Sequence, residues 1–352
     1  MLYSTDDLRI AGIQEVIPPA TLHQKYPITD QASETVFNAR TIAQKIVHGD
    51  DDRLIVIVGP CSIHDPAAAR EYAGFLKPLI NELKDDLHII MRVYFEKPRS
   101  VVGWKGLIND PYLDGSFKIN DGLGFARKLL LDLAEIGVPA GSEFLDLISP
   151  QYIADLISWG AIGARTTESQ AHRELASGIS CPIGFKNATD GGLQIAIDAC
   201  MSAAKPHHFM SLTKAGHSAI FSTTGNPDCH VILRGGKKPN YDAESVQEVA
   251  ETIGRTGQKA LFMVDCSHAN SGKSHIQQEI VCRDVANQIA NGEKRIMGMM
   301  LESNLIAGRQ NTEAGKELVY GQSITDACMA WDNSEVLLHE LAEAVRKRRD
   351  QS

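Results

Sequence analysis

The stretch LIVIVGPC (residues 54–61) is an unbroken apolar run that ends on a cysteine. A strand buried on both faces of a parallel sheet has such a continuous hydrophobic sequence, whereas a half-exposed strand alternates apolar and polar residues. Seven further short apolar runs follow this one along the chain, and each also ends on a charged or metal-competent residue. The eight end residues are Cys61, Arg92, Glu143, Arg165, Lys186, Arg234, His268 and Glu302.

The spacing of these end residues indicates the fold. Consecutive ends lie 21 to 51 positions apart, which leaves room for a loop and a helix before the next strand, including a helix over Pro150–Trp159. Eight such units predict an α/β fold, a (β/α)8 TIM barrel with its site where the strands end. The 352 residues exceed the roughly 250 of a common barrel. We therefore expect an N-terminal extension at 1–53, a catalytic barrel at 54–352, and a β-hairpin at 205–224 inserted between barrel strands five and six.

Composition narrows the class of protein. Forty-four acidic residues against thirty-five basic ones give a formal charge of −9, which argues against nucleic acid or a membrane surface as the partner. No apolar stretch approaches the roughly 18 residues of a membrane helix, and the N-terminus has no signal-peptide pattern. Seven cysteines without a C-x-x-C pair are too few for a disulfide scaffold. We expect a cytoplasmic protein with reduced cysteines.

Cations are concentrated at the ends of the apolar runs. A buried arginine or lysine needs a partner, and a carboxylate or phosphate suits the arginine fork best. Internal pairing with Glu143, Asp265 or Glu302 is the alternative to a ligand. The cations outnumber these anions, which favours a polyanionic ligand. They are Arg92, Lys97, Arg165, Lys186 and Arg234.

Metal-competent side chains end the first, seventh and eighth runs. In a closed barrel these three strands are neighbours, so Cys61, His268 and Glu302 should meet, and Asp326 follows shortly afterwards in the chain. One thiolate, one imidazole and two carboxylates suit a borderline divalent ion. The residues therefore indicate a site for Mn, Fe, Co or Zn as an alternative to purely structural roles.

Several long motifs make the chain similar to a known family. The segment from about residue 6 to 349 resembles bacterial type I 3-deoxy-D-arabino-heptulosonate 7-phosphate (DAHP) synthase, in its phenylalanine-sensitive form. One departure is Ser100, where the family usually has threonine in a KPRT motif, although the hydroxyl is kept. The motifs are GPCSIHD (59–65), MRVYFEKPRSVVGWKGLINDP (91–111), GARTTESQ (163–170), GFKNATDGG (184–192), ILRGGKKPNY (232–241), DCSHANS (265–271) and GQSITDAC (321–328).

The resemblance implies an activity and its ligands. The family condenses phosphoenolpyruvate with erythrose 4-phosphate and releases phosphate, as the first step of the shikimate pathway. It implies that Arg165 and Arg234 hold the phosphate of phosphoenolpyruvate, and that Arg92 and Lys186 hold its carboxylate. The residues that it places around erythrose 4-phosphate are Lys97, Arg99 and Ser100, and those that it places on a divalent metal are Cys61, His268, Glu302 and Asp326.

The catalytic roles follow from the same resemblance. The metal would act as a Lewis acid on the aldehyde, and Lys97 would neutralise or protonate the developing alkoxide. Glu143, Lys186 or His268 would then manage the water that adds before phosphate leaves. The sequence does not choose among these three.

The two additions to the barrel are expected to form a feedback site for an aromatic amino acid and to support a homodimer or homotetramer. Ser211 resembles the phenylalanine-regulated subtype, whereas the tyrosine-regulated one tends to carry glycine there. Phenylalanine is therefore the expected effector and tyrosine the alternative, unless these residues simply pack the hairpin. The pocket residues are Ile10, which would reach in from a partner, Pro150, Ile179, Ser180, Phe209, Ser211 and Phe221.

Three other functions are alternatives to the DAHP synthase activity. A Schiff-base aldolase would use Lys186 as its nucleophile and would need no metal. A related synthase acts on arabinose 5-phosphate, but its sugar-phosphate loop typically resembles KANRSS, whereas this chain has KPRS at 97–100. A sensor of phosphate ligands without catalytic activity is the third alternative.

Overall fold

A closed barrel of eight parallel strands forms the centre of the computed structural model, which describes residues 3–99, 101–312 and 316–351. Each barrel strand pairs with the barrel strands that precede and follow it in the chain, and the last one pairs with the first. The predicted TIM barrel is therefore confirmed. Its strands are β1 (Leu54–Gly59), β2 (Leu87–Arg92), β3 (Ala140–Glu143), β4 (Trp159–Ile162), β5 (Ile183–Lys186), β8 (His230–Leu233), β9 (Phe262–Asp265) and β10 (Ile296–Glu302).

Helices pack around the outside of the barrel and alternate with its strands. They are buried along one side, where apolar residues recur at helical spacing. In chain order the helices are α1 (Pro19–Lys25), α2 (Asp30–Val47), α3 (Pro66–Glu82), α4 (Ile119–Glu135), α5 (Pro150–Ile153), α6 (Gln170–Gly178), α7 (Gln194–Ala203), α8 (Ala243–Gly254), α9 (His275–Ala290) and α10 (Trp331–Asp350). No helix in the described part of the chain is both long and apolar enough to cross a membrane.

Two small sheets stand apart from the barrel. Strands β6 (His208–Leu212) and β7 (Ser218–Ser222) pair antiparallel as a hairpin. This hairpin lies between β5 and β8, the fifth and sixth barrel strands, as the sequence predicts. Strands β11 (Ile306–Arg309) and β12 (Gln322–Ser323) form the second small sheet, after the last barrel strand.

One predicted element is wrong in its extent. The helix expected over Pro150–Trp159 is only the four-residue α5, followed by a single 3-10 turn over Ala154–Leu156. Trp159 instead begins β4 and is fully buried inside the barrel, where its indole Nε1 donates to Nε2 of His230 at 3.2 Å. Burial of this large ring determines the local backbone conformation, so tertiary packing outweighs helical propensity here.

Helix α2 of the N-terminal extension closes the bottom of the barrel. Its residues Ala43, Ile46 and Val47 belong to the same buried cluster as side chains inside the barrel, among them Ile57 and Trp159. The extension therefore shares a core with the barrel. The boundary at 53/54 stays a prediction, since the packing alone does not divide the chain there.

Truncation of a buried side chain of α2 tests how much this helix contributes to the stability of the barrel. Ile46 is 2% exposed, so Ile46→Ala should leave a cavity and lower the free energy of unfolding by about 2–4 kcal/mol. Urea unfolding followed by circular dichroism measures the change. Lys45→Ala is the matched control, because Lys45 is exposed on the same turn of α2. Equal stabilities for the two variants would contradict a structural role for α2.

Candidate active site

A cavity of about 370 Å³ opens at the carboxyl ends of the barrel strands. Strand ends and the loops that follow them supply its walls, as in other barrels of this type. Most of the predicted site residues line it. They are Lys97, Arg99, Glu143, Arg165, Lys186, Arg234, His268 and Asp326, together with Lys273 and Arg309 on the rim.

Three predicted metal ligands meet in this region. Donor atoms of Cys61, Glu302 and Asp326 all lie within 4.8 Å of one another, and Sγ of Cys61 is 3.8 Å from Oδ2 of Asp326. Nε2 of His268 lies 3.9 Å from Oε1 of Glu302, at the edge of the group. One sulfur, one ring nitrogen and two carboxylates fit a borderline divalent cation.

The charges around this group also fit a cation. Burial alone would raise the pKa of Asp326. Its pKa is nevertheless lowered to about 2 by the positive charges of Lys97, Lys273 and His268. Burial and the carboxylate of Glu302 raise the pKa of Cys61. A metal binds the thiolate, so a bound divalent cation would displace this proton.

Lys97 lies against the cysteine of the group. Its Nζ is 3.0 Å from Sγ of Cys61, and its side chain is buried. The backbone of the loop holds it there, because the amide of Lys97 donates to the carbonyl of Lys105 at 2.9 Å. The ammonium group of Lys97 therefore has a fixed position beside the candidate metal ligands.

Two of the predicted cations have internal acidic partners, as the alternative considered from the sequence requires. Nζ of Lys186 is 2.8 Å from Oδ2 of Asp265, and Nη2 of Arg92 is 3.0 Å from Oε1 of Glu302. Burial alone would raise the pKa of Asp265, but His268 and Lys186 hold it well below its usual range. These ion pairs position the two cations at the barrel mouth.

Two other cations have no such partner. Among the described residues, neither Arg165 nor Arg234 forms a salt bridge, and their guanidinium groups donate only to the backbone carbonyls of Pro98 and Gly235. Burial lowers the pKa of Arg234, and repulsion by Arg165 adds to this effect although Asp265 opposes it. Two adjacent guanidinium groups without acidic partners form a site that suits a phosphate.

The KPRS motif lies in the loop that follows β2. Nε of Arg99 donates to the carbonyl of Trp104 at 2.7 Å, and its side chain is exposed at the cavity rim. Ser100 lies outside the described residues. The loop turns closely on itself, because a Cβ at Gly106 would come within 2.0 Å of the Phe95 carbonyl oxygen.

Glu143 is the carboxylate of the cavity with free oxygens. It is 8% exposed, and its side chain makes no hydrogen bond or ion pair among the described residues. Gly163 makes room for it, because a Cβ there would lie 2.2 Å from Oε1 of Glu143. The carboxylate is therefore available to a water or a ligand.

Two positioning residues were missed or undervalued in the sequence. Asp265, the last residue of β9, was considered only as a counterion, yet its carboxylate also lies 2.8 Å from Nδ1 of His268. Gln278 accepts a hydrogen bond from the amide of Glu302 at 2.7 Å and donates to its carbonyl at 3.0 Å. Asp265 could be found by reading the strand to its last residue, whereas a glutamine within α9 gives no local signal.

A second cavity, of about 460 Å³, adjoins the hairpin. Five residues of the expected effector pocket line it, and the rings of Phe209 and Phe221 stack with centroids 6.1 Å apart. Pro150 begins α5 beside it, while its neighbour Gln151 lines the wall. Ile10 is exposed and does not line the cavity of its own chain. The five residues are Ile179, Ser180, Phe209, Ser211 and Phe221.

Comparisons with known proteins agree with this geometry. The chain is 61% identical over 349 residues to the Phe-sensitive phospho-2-dehydro-3-deoxyheptonate aldolase of Escherichia coli strain K12, with 99% of this chain and 100% of that protein covered. It is 59% identical to the corresponding aldolase of Haemophilus influenzae, with 99% and 97% covered. The solved structure of the Francisella tularensis aldolase superposes with a TM-score of 0.95 at 52% identity, covering 97% of this chain and 99% of that one.

The resemblance given by the motifs is thus confirmed over nearly the whole chain. A model of the DAHP synthetase I family matches residues 25–339, a range that contains every strand of the barrel and every residue of the cavity at its mouth. The chain belongs to the DAHP synthetase I family.

Proposed function

We propose that this protein condenses phosphoenolpyruvate with erythrose 4-phosphate to give DAHP and phosphate, the first step of the shikimate pathway. The observation that carries the proposal is one cavity lined by a cluster of cations and by Asp326, a carboxylate of the metal-competent cluster. The names of the similar aldolases support it. We further propose that the enzyme is cytoplasmic and acts as a homodimer or homotetramer.

The four cations assigned to phosphoenolpyruvate divide into two pairs by their partners; Arg165, Lys186 and Arg234 line the cavity, and Arg92 is buried beside Glu302. Arg165 and Arg234 lack acidic partners and are proposed to bind the phosphate of phosphoenolpyruvate. Arg92 and Lys186 are held by Glu302 and Asp265 and are proposed to bind its carboxylate. This arrangement would hold the substrate at both ends and expose its methylene carbon to the aldehyde.

Arg99 and Ser100 are proposed to bind the phosphate of erythrose 4-phosphate, with Lys97 directed at its aldehyde. Arg99 is exposed at the rim, where the phosphate of a second substrate could enter. The buried Lys97 lies deeper, beside Cys61. An exposed Arg99 and a buried Lys97 would thus orient a sugar phosphate with its phosphate outward and its aldehyde inward.

The proposed metal ligands are Cys61, His268, Glu302 and Asp326, and the ion would be Mn, Fe, Co or Zn. When bound, the cation would supply a Lewis acid to the aldehyde carbonyl. The carboxylate of Asp265 accepts a hydrogen bond from Nδ1 of His268, which leaves Nε2 as the nitrogen available to a metal.

The protein's own groups would move the protons. As the new carbon–carbon bond forms, Lys97 would donate a proton to the oxygen that derives from the aldehyde. Water then adds to the carbon that bears the phosphate, and phosphate leaves with cleavage of the carbon–oxygen bond. Glu143 is proposed to accept the proton of this water, because Lys186 and His268 are both engaged by Asp265 whereas Glu143 is not engaged.

A Schiff-base aldolase is disfavoured by the ion pair of Lys186. An amine nucleophile must have a free lone pair, whereas Nζ of Lys186 donates a hydrogen bond to the buried carboxylate of Asp265 at 2.8 Å. Borohydride in the presence of phosphoenolpyruvate or erythrose 4-phosphate should therefore trap no adduct on Lys186.

The cavity beside the hairpin is proposed to bind phenylalanine as a feedback inhibitor, with tyrosine as the alternative. Phe209 and Phe221 would contact the ring of the effector, and Ser211 lines the same wall. Ile10 of a second copy is proposed to complete the pocket together with Pro150. The Phe-sensitive name of the Escherichia coli relative supports this choice.

Removal of the sulfur ligand tests the metal centre. Cys61→Ser should lose bound metal and lower turnover by about 100-fold or more, since a weaker ligand replaces the thiolate. Metal content is measured by mass spectrometry after chelation and reconstitution, and activity by an assay with both substrates. Cys229→Ser is the control, because Cys229 lies outside the cavity. Full metal content and turnover in Cys61→Ser would refute the assignment.

Removal of one unpaired guanidinium tests the phosphate site. Arg165→Gln should raise the KM for phosphoenolpyruvate by about 10- to 100-fold, because a charge-assisted hydrogen bond is lost. Steady-state kinetics with each substrate varied in turn measures the effect. Arg255→Gln is the control, since Arg255 is on an exposed helix end. An unchanged KM for phosphoenolpyruvate would contradict the proposed role.

The effector is tested with phenylalanine, tyrosine and tryptophan in the same assay. The wild-type enzyme should respond chiefly to phenylalanine, and Ser211→Gly should gain inhibition by tyrosine because the smaller residue leaves space for the phenol oxygen. Ser218→Gly, at the exposed first residue of β7 and outside the lining of the cavity, should change neither response. Strong tyrosine inhibition of the wild type without phenylalanine inhibition would overturn the choice of effector.

A further inference from the structure

A third cavity, of about 660 Å³, lies between the N-terminal arm, the hairpin turn and the loops that follow β2 and β3. It shares no lining residue with the catalytic cavity or with the cavity beside the hairpin. Nothing in the proposed function uses it. Its walls are formed by Glu15, Val16, Pro18, Glu96, Ile108, Asn109, Ile119, Leu123, Asp146, Ile148, Ser149, Tyr152, Leu212, Ala215, Gly216 and His217.

Hydrogen bonds hold the walls of this cavity in place. The hydroxyl of Tyr152 donates to the carbonyl of Ile17 at 2.7 Å, and the amide of Ile17 donates to the side chain of Asn120 at 2.9 Å. The amide of Ala20 donates to the carbonyl of Lys214 at 2.7 Å, which joins the arm to the hairpin turn. The arm is therefore a fixed wall of the cavity.

The lining of this cavity combines acidic and apolar side chains. Glu15, Glu96 and Asp146 contribute carboxylates, and no lysine or arginine of the described chain lines the cavity. His217 is its only other ionisable side chain besides the tyrosine. A ligand that complements this lining carries a positive charge at one end and an apolar body.

Glu96 is the group that needs a partner. It is 5% exposed, and one carboxylate oxygen, Oε2, accepts from the hydroxyl of Ser149 at 3.1 Å and from the amide of Asp146 at 3.5 Å. The other oxygen, Oε1, has no hydrogen bond or ion pair to any described residue. Burial, and then the carboxylates of Asp146 and Glu143, raise the pKa of Glu96 to about 7. Because Oε1 has no partner in the described part of the chain and Glu96 lines the cavity, this oxygen is available to a donor on a ligand.

We infer that this cavity is a binding site for a small organic amine with an apolar body. The ammonium group donates to Glu96, and the body packs against the apolar wall formed by Ile108, Leu123 and Ile148. A positive charge next to Glu96 also offsets the repulsion between the carboxylates of Glu96 and Asp146. A carboxylate ligand is excluded, because it would face three acidic side chains without a cation.

Phenethylamine and 3-phenylpropionate are a matched pair of probes, because they share a ring and a chain but differ in charge. Isothermal titration of the full-length protein should show binding of the amine and none of the acid. Glu96→Gln should weaken amine binding by about tenfold or more, since the charge-assisted hydrogen bond is lost. Glu248→Gln, an exposed substitution on α8, should leave the affinity unchanged.

The variant should fold, because burial disfavours the ionised form of Glu96 and glutamine keeps the acceptor for Ser149. An unchanged melting temperature checks this. Ser211→Leu, which fills the cavity beside the hairpin, separates the two sites and should leave amine binding intact. The inference fails if wild type binds no amine, if Glu96→Gln binds it equally well, or if only Ser211→Leu abolishes binding. It also fails if a crystal structure shows the arm of a second copy filling the cavity.

Discussion

The placement of buried charges at the carboxyl end of the barrel is the constraint on which the site depends. Isolated charges in such a place would be strongly disfavoured, because the desolvation penalty of an ion is several kcal/mol. The pairs Arg92 with Glu302 and Lys186 with Asp265 reduce this penalty, and each joins strands that are not neighbours in the sequence. Closure of the barrel brings these residues within reach of one another.

The same pairing determines which groups are left for ligands. Glu302 and Asp265 pair with Arg92 and Lys186, so within the described part of the chain the guanidinium groups of Arg165 and Arg234 donate only to backbone carbonyls. Asp265 serves twice, since it also holds the ring of His268. A single buried carboxylate therefore links Lys186 with His268, and the cation cluster and the candidate metal centre share one electrostatic network.

Much of the fold and of the site could be predicted, because both depend on a local pattern. Continuous apolar runs identify parallel strands without any knowledge of their neighbours, and each run here ends close to a residue of the cavity. Cys61, Arg165 and His268 lie two or three residues beyond the last residue of their strands. The ends of the apolar runs therefore predicted the site side chains better than the ends of the strands.

Other features depend on long-range packing and have no local signal. The partners of Arg92 and Lys186 depend on the distances across the closed barrel. Closure of the barrel bottom by α2 depends on the packing of Ile46 and Val47 in one buried cluster with Trp159. The early end of α5 likewise follows from burial of Trp159. Its hydrogen-bond partner His230 lies 71 residues away in the sequence.

The turn after β9 joins this electrostatic network to the backbone. His268 and Lys273 have φ values of +55° and +65°, a left-handed conformation that side chains other than glycine seldom adopt. The amide of Lys273 donates to the carbonyl of His268 at 2.8 Å and closes the turn. Hydrogen bonds to Ser267 and Asp265 fix the ring of His268 on the other side. Because these contacts offset the strain, Nε2 of His268 is held toward Glu302, and Nζ of Lys273 reaches Asp326 at 3.4 Å. The left-handed turn thus places His268 and Lys273 beside the candidate metal centre.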